Sequence, residues 1–146
     1  ETMLMFAARA QHLDEVIRPA LERGAWVICD RFTDATVAYQ GGGRGVSIEL
    51  IGKLKQAVQK GLEPDLTLLF DAPIEVGFSR IKDRERDHFE RENREFFERV
   101  RASYLQQAED EPSRIRRVDA SGTIDTVKEE VRSHVQELLN GTTTDA

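Results

Sequence analysis

The chain has one cysteine, Cys29, so it can form no internal disulfide and no cysteine-rich metal centre, which fits a reducing cytoplasm. It has no apolar run long enough to cross a bilayer and no secretory leader pattern. It also lacks an excess of basic residues. The net charge is −6, which argues against nucleic acid as the main partner, because phosphate backbones reward basic surfaces. No internal repeat or low-complexity tract interrupts the sequence, and 146 residues are enough for one domain with a buried core. Prolines are few as well: Pro19, Pro64, Pro73 and Pro112, each of which punctuates an element.

What is present alternates between two periods. Leu4, Ala8, Leu13, Val16, Ile17, Ala20 and Leu21 recur at three- and four-residue spacing and predict an amphipathic helix, kinked or broken at Pro19 and stopped by Gly24. Ala25 to Cys29 reads as a short buried parallel strand. Ser47 is the expected N-cap of a second helix whose apolar face is Ile51, Leu54, Ala57 and Val58, with Gly61 as its stop. Leu66 to Phe70 predicts another buried strand, ending in Asp71, and Pro73 opens a short helix through Ile81. A stretch dense in both charge signs follows, with Phe89, Phe96, Phe97, Val100 and Tyr104 as its apolar stripe, and Pro112 ends it. Arg114 to Val118 predicts a third strand, and a final helix runs from Ile124 to Leu139, stopped by Asn140-Gly141. Helices and strands in strict alternation predict a parallel α/β sheet covered on both faces.

Ligands of such sheets bind at the carboxyl ends of the strands, where Asp30-Arg31 stands. An arginine there can grip phosphate bidentately, and a neighbouring carboxylate can orient it or hold hydrated Mg²⁺; a structural ion pair is the alternative. Thr36, Tyr39 and Gln40 would share a face of a helical turn, and the Gln40 amide can donate and accept together, as a pyrimidine edge requires. Met5 and Arg9, four apart, can face one pocket. Gly41-Gly42-Gly43-Arg44-Gly45 resembles a phosphate cradle but lacks the Lys-Ser/Thr ending of one, and reads as a flexible connector. Arg84 and Arg86 precede the long charged helix without an apolar anchor and read as a mobile arm carrying guanidiniums. His88 has no partner at ligand spacing and reads as a surface residue.

At these residues the sequence resembles the bacterial thymidylate kinases. Phe6-Ala7-Ala8-Arg9-Ala10-Gln11-His12, Asp30-Arg31-Phe32, Ala38 to Gly45, Pro64-Asp65-Leu66-Thr67, Asp71 with Glu75-Val76-Gly77, Phe96-Phe97 with Tyr104, and Val118-Asp119-Ala120 carry the likeness, in order, over nearly the whole chain. The resemblance implies a P-loop NTPase-like α/β fold, a three-layer sandwich around a parallel sheet. It implies transfer of the ATP γ-phosphoryl group to thymidine monophosphate (dTMP), giving thymidine diphosphate, with Mg²⁺ as cofactor, a homodimer built on the early helices and a cytoplasmic location. Arg9 and Arg31 would grip the acceptor's phosphate or base, and Thr36 and Gln40 would read the thymine, with Met5 or Phe6 beside it. Tyr39 would pack near the deoxyribose, and Asp30 would support the phosphate and act on Mg²⁺ through water. Asp30, Arg31, Arg84 and Arg86 would be the catalytic set; Arg84 and Arg86 would sit in a lid at about residues 82–92, and Ala120, Ser121 and Gly122 would border the adenine.

Three departures accompany the likeness. Met5 occupies the register in which many relatives carry a stacking Phe, with Phe6 beside it. The lid reads Asp87-His88-Phe89-Glu90 and is one residue short. No G-x-x-x-x-G-K-[ST] occurs, and the family's central strand and one edge strand are missing. The expectation is therefore a partial nucleoside-monophosphate kinase domain spanning residues 1–146 of a longer enzyme, inactive alone. Two other readings stay open: a catalytically silent nucleotide-binding fragment, and a related nucleotide kinase with another base preference.

Overall fold

A computed structural model describes residues 1–80 and 89–142, which fall into two compact units, Glu1–Glu63 and Pro64–Ala146. Arg84, Arg86 and His88, and most of the expected lid, lie outside the described residues.

The first unit is helical. Helix α1 (Thr2–His12) runs through a single π turn, Leu13–Ile17, into α2 (Arg18–Glu22). Pro19 therefore disturbs the helix without breaking it: the widened turn lies just before it and accommodates a residue that has no N–H to donate. Gly24 closes the segment at φ 73°, while the amides of Gly24 and Ala25 reach back to the carbonyls of Leu21 (2.8 Å) and Ala20 (3.0 Å). The buried side of this helix differs from the expected stripe. Phe6, Leu13 and Ile17 are buried, whereas Leu4 and Val16 are exposed.

Residues 25–29 form no strand, and Trp26 and Ile28 are exposed, Ile28 almost completely at 98%. The apolar run has the composition of a strand, but a parallel strand exists only through its neighbours, and none of the described residues pairs with it. A short helix, α3 (Thr33–Thr36), passes directly into a second π segment, Val37–Gly43. The glycines expected to form a loose connector thus belong to a helix. At Gly41 a Cβ would lie 2.4 Å from Ile48 Cδ1, so the missing side chain leaves room for this exposed side chain at the start of α4 (Ile48–Gln59). Ser47 caps α4 as expected, its hydroxyl accepting from the Leu50 amide at 3.3 Å. Of the predicted α4 face only Ile51 is fully buried, together with Gln59.

The second unit contains the sheet. Strands β1 (Thr67–Asp71) and β2 (Ile115–Asp119) pair in parallel, with Thr67 opposite Ile115 and Asp71 opposite Asp119. Between them come α5 (Ile74–Arg80) and α6 (Phe89–Asp110), and α7 (Ile124–Thr142) follows. Helix α6 packs on both strands and α7 on β2, around a core of Val100, Ile115 and Val118. The architecture is α/β with a parallel sheet, as expected, but with two strands among the described residues where three were predicted. Phe70 is 54% exposed and the rest of β1's apolar run half-buried, because β1 is hydrogen-bonded to a strand on one side. Helix α7 also runs past Asn140-Gly141. None of the described helices is long and apolar enough to cross a membrane.

Candidate functional site

In the first unit the site is built around Arg9. An arginine about two turns into α1 normally extends to water, but here its guanidinium turns inward between two aromatic rings. Its Cζ lies 5.0 Å from the Phe6 ring centroid and 5.2 Å from that of Phe32. One terminal nitrogen, Nη2, donates to Thr36 Oγ1 at 3.0 Å and to the Phe32 carbonyl at 3.4 Å. The other, Nη1, is buried with no hydrogen-bond partner among the described residues. Burial pulls the guanidinium below the ordinary arginine value, while Cys29 and Asp34 act electrostatically in the opposite sense. A cation in this condition is a ready donor for an acceptor that enters the site.

Thr36 and Gln40 are four apart at the junction of α3 and the π segment, and both are buried, at 0% and 4% exposed. Hydrogen bonding from i to i+5 widens this turn and stacks residues four and five apart, which sets both side chains towards α1. Gln40 Nε2 lies 3.5 Å from Met5 Sδ and 3.4 Å from Glu1 Oε1, and Glu1 is in turn paired with Arg44. Phe6 is buried at 1% exposed, whereas Met5 is half-buried beside Gln40. Met5, Arg9, Thr36 and Gln40 therefore converge.

Arg31 and Tyr39 form a second pair. Arg31 adopts φ 63°, a left-handed conformation that a non-glycine residue holds only when its surroundings enforce it. Its guanidinium sits 5.3 Å from the Tyr39 ring centroid. Asp30 precedes it, exposed. No group of three or more His, Cys, Asp or Glu among the described residues could cage a metal. Asp30 as a single exposed carboxylate fits the habit of Mg²⁺, which keeps several waters and takes one or two carboxylates together with substrate phosphates.

The turn Ala120-Ser121-Gly122 belongs to the second unit and follows β2. Asp119 Oδ1 accepts from the Ser121 amide (2.9 Å) and hydroxyl (2.5 Å), and these bonds hold the Asp119 carboxyl below the usual carboxylate range. Arg80 donates to the carbonyls of Ala120 (2.9 Å) and Ser121 (3.4 Å), and the Ala120 amide donates to the Asp71 carbonyl at 2.8 Å. Beneath the turn, Asp71 takes a two-pronged grip from Arg101, Nε to Oδ1 at 2.6 Å and Nη2 to Oδ2 at 3.0 Å. Arg117 adds a contact to Oδ2 at 2.7 Å. The Arg101 bonds first, and the two positive charges after them, hold the Asp71 carboxyl below its ordinary value against the opposing effect of burial.

Two features escaped the sequence reading. The Asp71–Arg101–Arg117 cluster links residues up to 46 positions apart, and nothing in their spacing marks it. The buried pair Thr33–Gln59 joins the start of α3 to the end of α4, and a glutamine in a helix's last turn looks like a surface residue.

The sequence matches the family described as "Thymidylate kinase" over residues 1–131. A thymidylate kinase of Pseudomonas fluorescens (strain Pf0-1) is 56% identical over 140 residues, which cover 95% of this chain and 67% of that protein. One of Pseudomonas putida (strain GB-1) is 58% identical over 132 residues, covering 90% and 63%. The crystal structure of thymidylate kinase from Ehrlichia chaffeensis superposes with a TM-score of 0.73 at 28% identity, covering 94% of this chain and 65% of that one. The chain thus spans about two thirds of the length of the curated relatives it matches.

Proposed function

Because the chain belongs to the thymidylate kinase family, we propose that it supplies the acceptor site for phosphoryl transfer from ATP to dTMP. The observation that supports this most is Arg9: a half-buried guanidinium whose buried Nη1 has no partner among the described residues, bonded to Thr36 and set near Gln40's neighbour Met5. Arg9 meets a carbonyl or phosphate oxygen of the acceptor, while Thr36 and Gln40 read the thymine edge with Met5 against its face. Phe6 contributes by holding Arg9. Arg31 and Asp30 take the phosphate end, and Tyr39 packs by the deoxyribose. Such a site works by positioning and by neutralising charge, which is most of what phosphoryl transfer requires. Asp30 would hold a water of Mg²⁺ bound with ATP, and the ion would supply charge neutralisation at the phosphates.

Ala120, Ser121 and Gly122 border the adenine in this reading, Arg84 and Arg86 belong to a lid over ATP, and residues 1–146 act as one partial kinase domain. A homodimer is supported by the exposed apolar side chains of Met3, Leu4 and Val16 along α1 and the following turn, and a cytoplasmic location by the single exposed thiol of Cys29. The test is a thermal-unfolding panel of nucleoside monophosphates. Only a ligand that binds the native state raises the midpoint, so dTMP should do so and purine monophosphates should not. A purine preference would overturn the thymine assignment, and a coupled assay with ATP then separates phosphoryl transfer from silent binding.

A further inference from the structure

Gln59 is an anomaly in the first unit. It ends α4, yet it is 1% exposed, and its polar groups are engaged on several sides. Beyond it Lys60 (φ 51°) and Gly61 (φ 84°) turn the chain back, so that Gln59 Nε2 donates to the Leu62 carbonyl at 2.6 Å. The Gln59 backbone carbonyl accepts from Arg18 Nη2 at 2.7 Å and from the Leu62 amide at 3.0 Å. Its side-chain oxygen, Oε1, accepts from the hydroxyl of Thr33, which is itself 2% exposed.

Thr33 is two residues beyond Arg31. The backbone of Arg31 is left-handed, and such a conformation costs about 1–3 kcal/mol unless its neighbours enforce it. Residues 25–29 before it have no regular hydrogen bonding to do so, and no side chain caps the start of α3. The restraint comes from the other side. Arg9 holds the Phe32 carbonyl at 3.4 Å, and Gln59 holds Thr33 inside a buried network.

We propose that Gln59 is a positioning residue for Arg31, acting through Thr33 to fix the left-handed turn that aims the Arg31 guanidinium over Tyr39. Its consequence for the ligand rests on the acceptor-site reading above. Arg31 serves the phosphate end in that reading, so Gln59 controls the phosphate's share of the affinity and leaves the base's share alone.

The experiment compares the full chain with Gln59→Leu, Thr33→Val and Thr33→Ser. Calorimetry gives the affinity for dTMP and for thymidine, which lacks the phosphate. Amide hydrogen exchange follows residues 31–36, with the amides of β2 as internal reference. Gln59→Leu and Thr33→Val should each lose about tenfold in dTMP affinity and stay within about twofold for thymidine, in keeping with one buried partner left unpaired. Exchange at 31–36 should quicken in both while β2 is unchanged, and Thr33→Ser, which keeps the hydroxyl, should behave as wild type. Equal losses for both ligands, or no loss, would overturn the proposal, since a merely structural glutamine predicts them. If wild type binds neither ligand, the acceptor-site reading fails, and exchange alone decides: unaltered rates at 31–36 in Gln59→Leu sink the positioning role.

Discussion

Arg9 and Arg101 are both helical arginines turned inward, and their surroundings are opposite. Arg9, in the first unit, lies between two aromatic rings, bonds a hydroxyl and a carbonyl, and leaves Nη1 buried without a partner among the described residues. Arg101, in the second, grips Asp71 with two nitrogens, and its ordinary value is raised where that of Arg9 is lowered. A guanidinium with a carboxylate in its fork is spent on the fold. One that forks no carboxylate and carries a buried, unbonded nitrogen costs the fold free energy, and a ligand that supplies an acceptor recovers it.

The largest effect should come from removing the unsatisfied cation. Arg9→Met keeps the apolar stem and removes the guanidinium, so it should lower dTMP affinity about a hundredfold, the loss expected of a desolvated charged hydrogen bond. Stability should hold or rise, because no buried charge is left behind. Calorimetry with a denaturant titration checks both. A large loss of stability with unchanged affinity would make Arg9 the structural arginine and break the contrast.

The converse variant is Asp71→Asn. It should cost about 1–3 kcal/mol by denaturant unfolding, towards the lower end for breaking a buried pair, because Arg101 and Arg117 stay 36% and 59% exposed and can turn to water. Affinity for dTMP should not change. The pH dependence carries the same signature. The folded Asp71 carboxyl titrates below its unfolded value of about 3.9. Its contribution is therefore complete above that pH and is lost as the pH falls through the lower folded value. In Asp71→Asn this part of the acid limb should be flat.

These two clusters also mark where sequence reading stops. Strands β1 and β2 were each legible to within one residue, because apolar runs bounded by Pro64, Asp71 and Asp119 are local signals. The helical spacing of Thr36 and Gln40 was legible for the same reason, and so was the Ser47 cap. Residues 25–29 misled because an apolar run becomes a strand only through pairing, which lies outside the run itself. Gly41 to Gly43 misled because glycine is read as a helix breaker, whereas here its lack of a side chain admits Ile48. The Thr33–Gln59 and Asp71–Arg101 bonds span 26 and 30 residues, and no periodicity encodes such a distance.

The glycine contact sharpens the picture of the first unit at smaller cost. Gly41→Ala needs only Ile48 to swing aside, and Ile48 is 57% exposed, so the change should be near neutral. Gly41→Val adds two methyls beyond a Cβ that already touches Ile51 Cδ1 at 3.4 Å, and Ile51 is 1% exposed and cannot yield. Overpacking of this kind should cost about 1–2 kcal/mol and weaken dTMP binding in parallel, as Gln40 is displaced. Equal behaviour of the two variants would mean that the turn is the loose connector its composition suggests.

The smallest effect separates burial from pairing. Glu75 and Arg94 form an ion pair between α5 and α6, in the same unit as Asp71 and Arg101, and the Glu75 carboxyl is likewise held below its usual range, by its own backbone amide first and then by Arg94. Both partners stay at least half exposed, however, at 62% and 50%. Water and salt screen such a pair and compete for both of its charges, so Glu75→Gln should leave the unfolding midpoint where it is, at low and at high ionic strength. Asp71→Asn should move it under both conditions, since its carboxylate is only 4% exposed. If Glu75→Gln destabilised as much as Asp71→Asn, pairing with any arginine would be sufficient. The contrast between Arg9 and Arg101 would then rest on the carboxylate alone, and the burial that sets Arg9 apart would carry no weight.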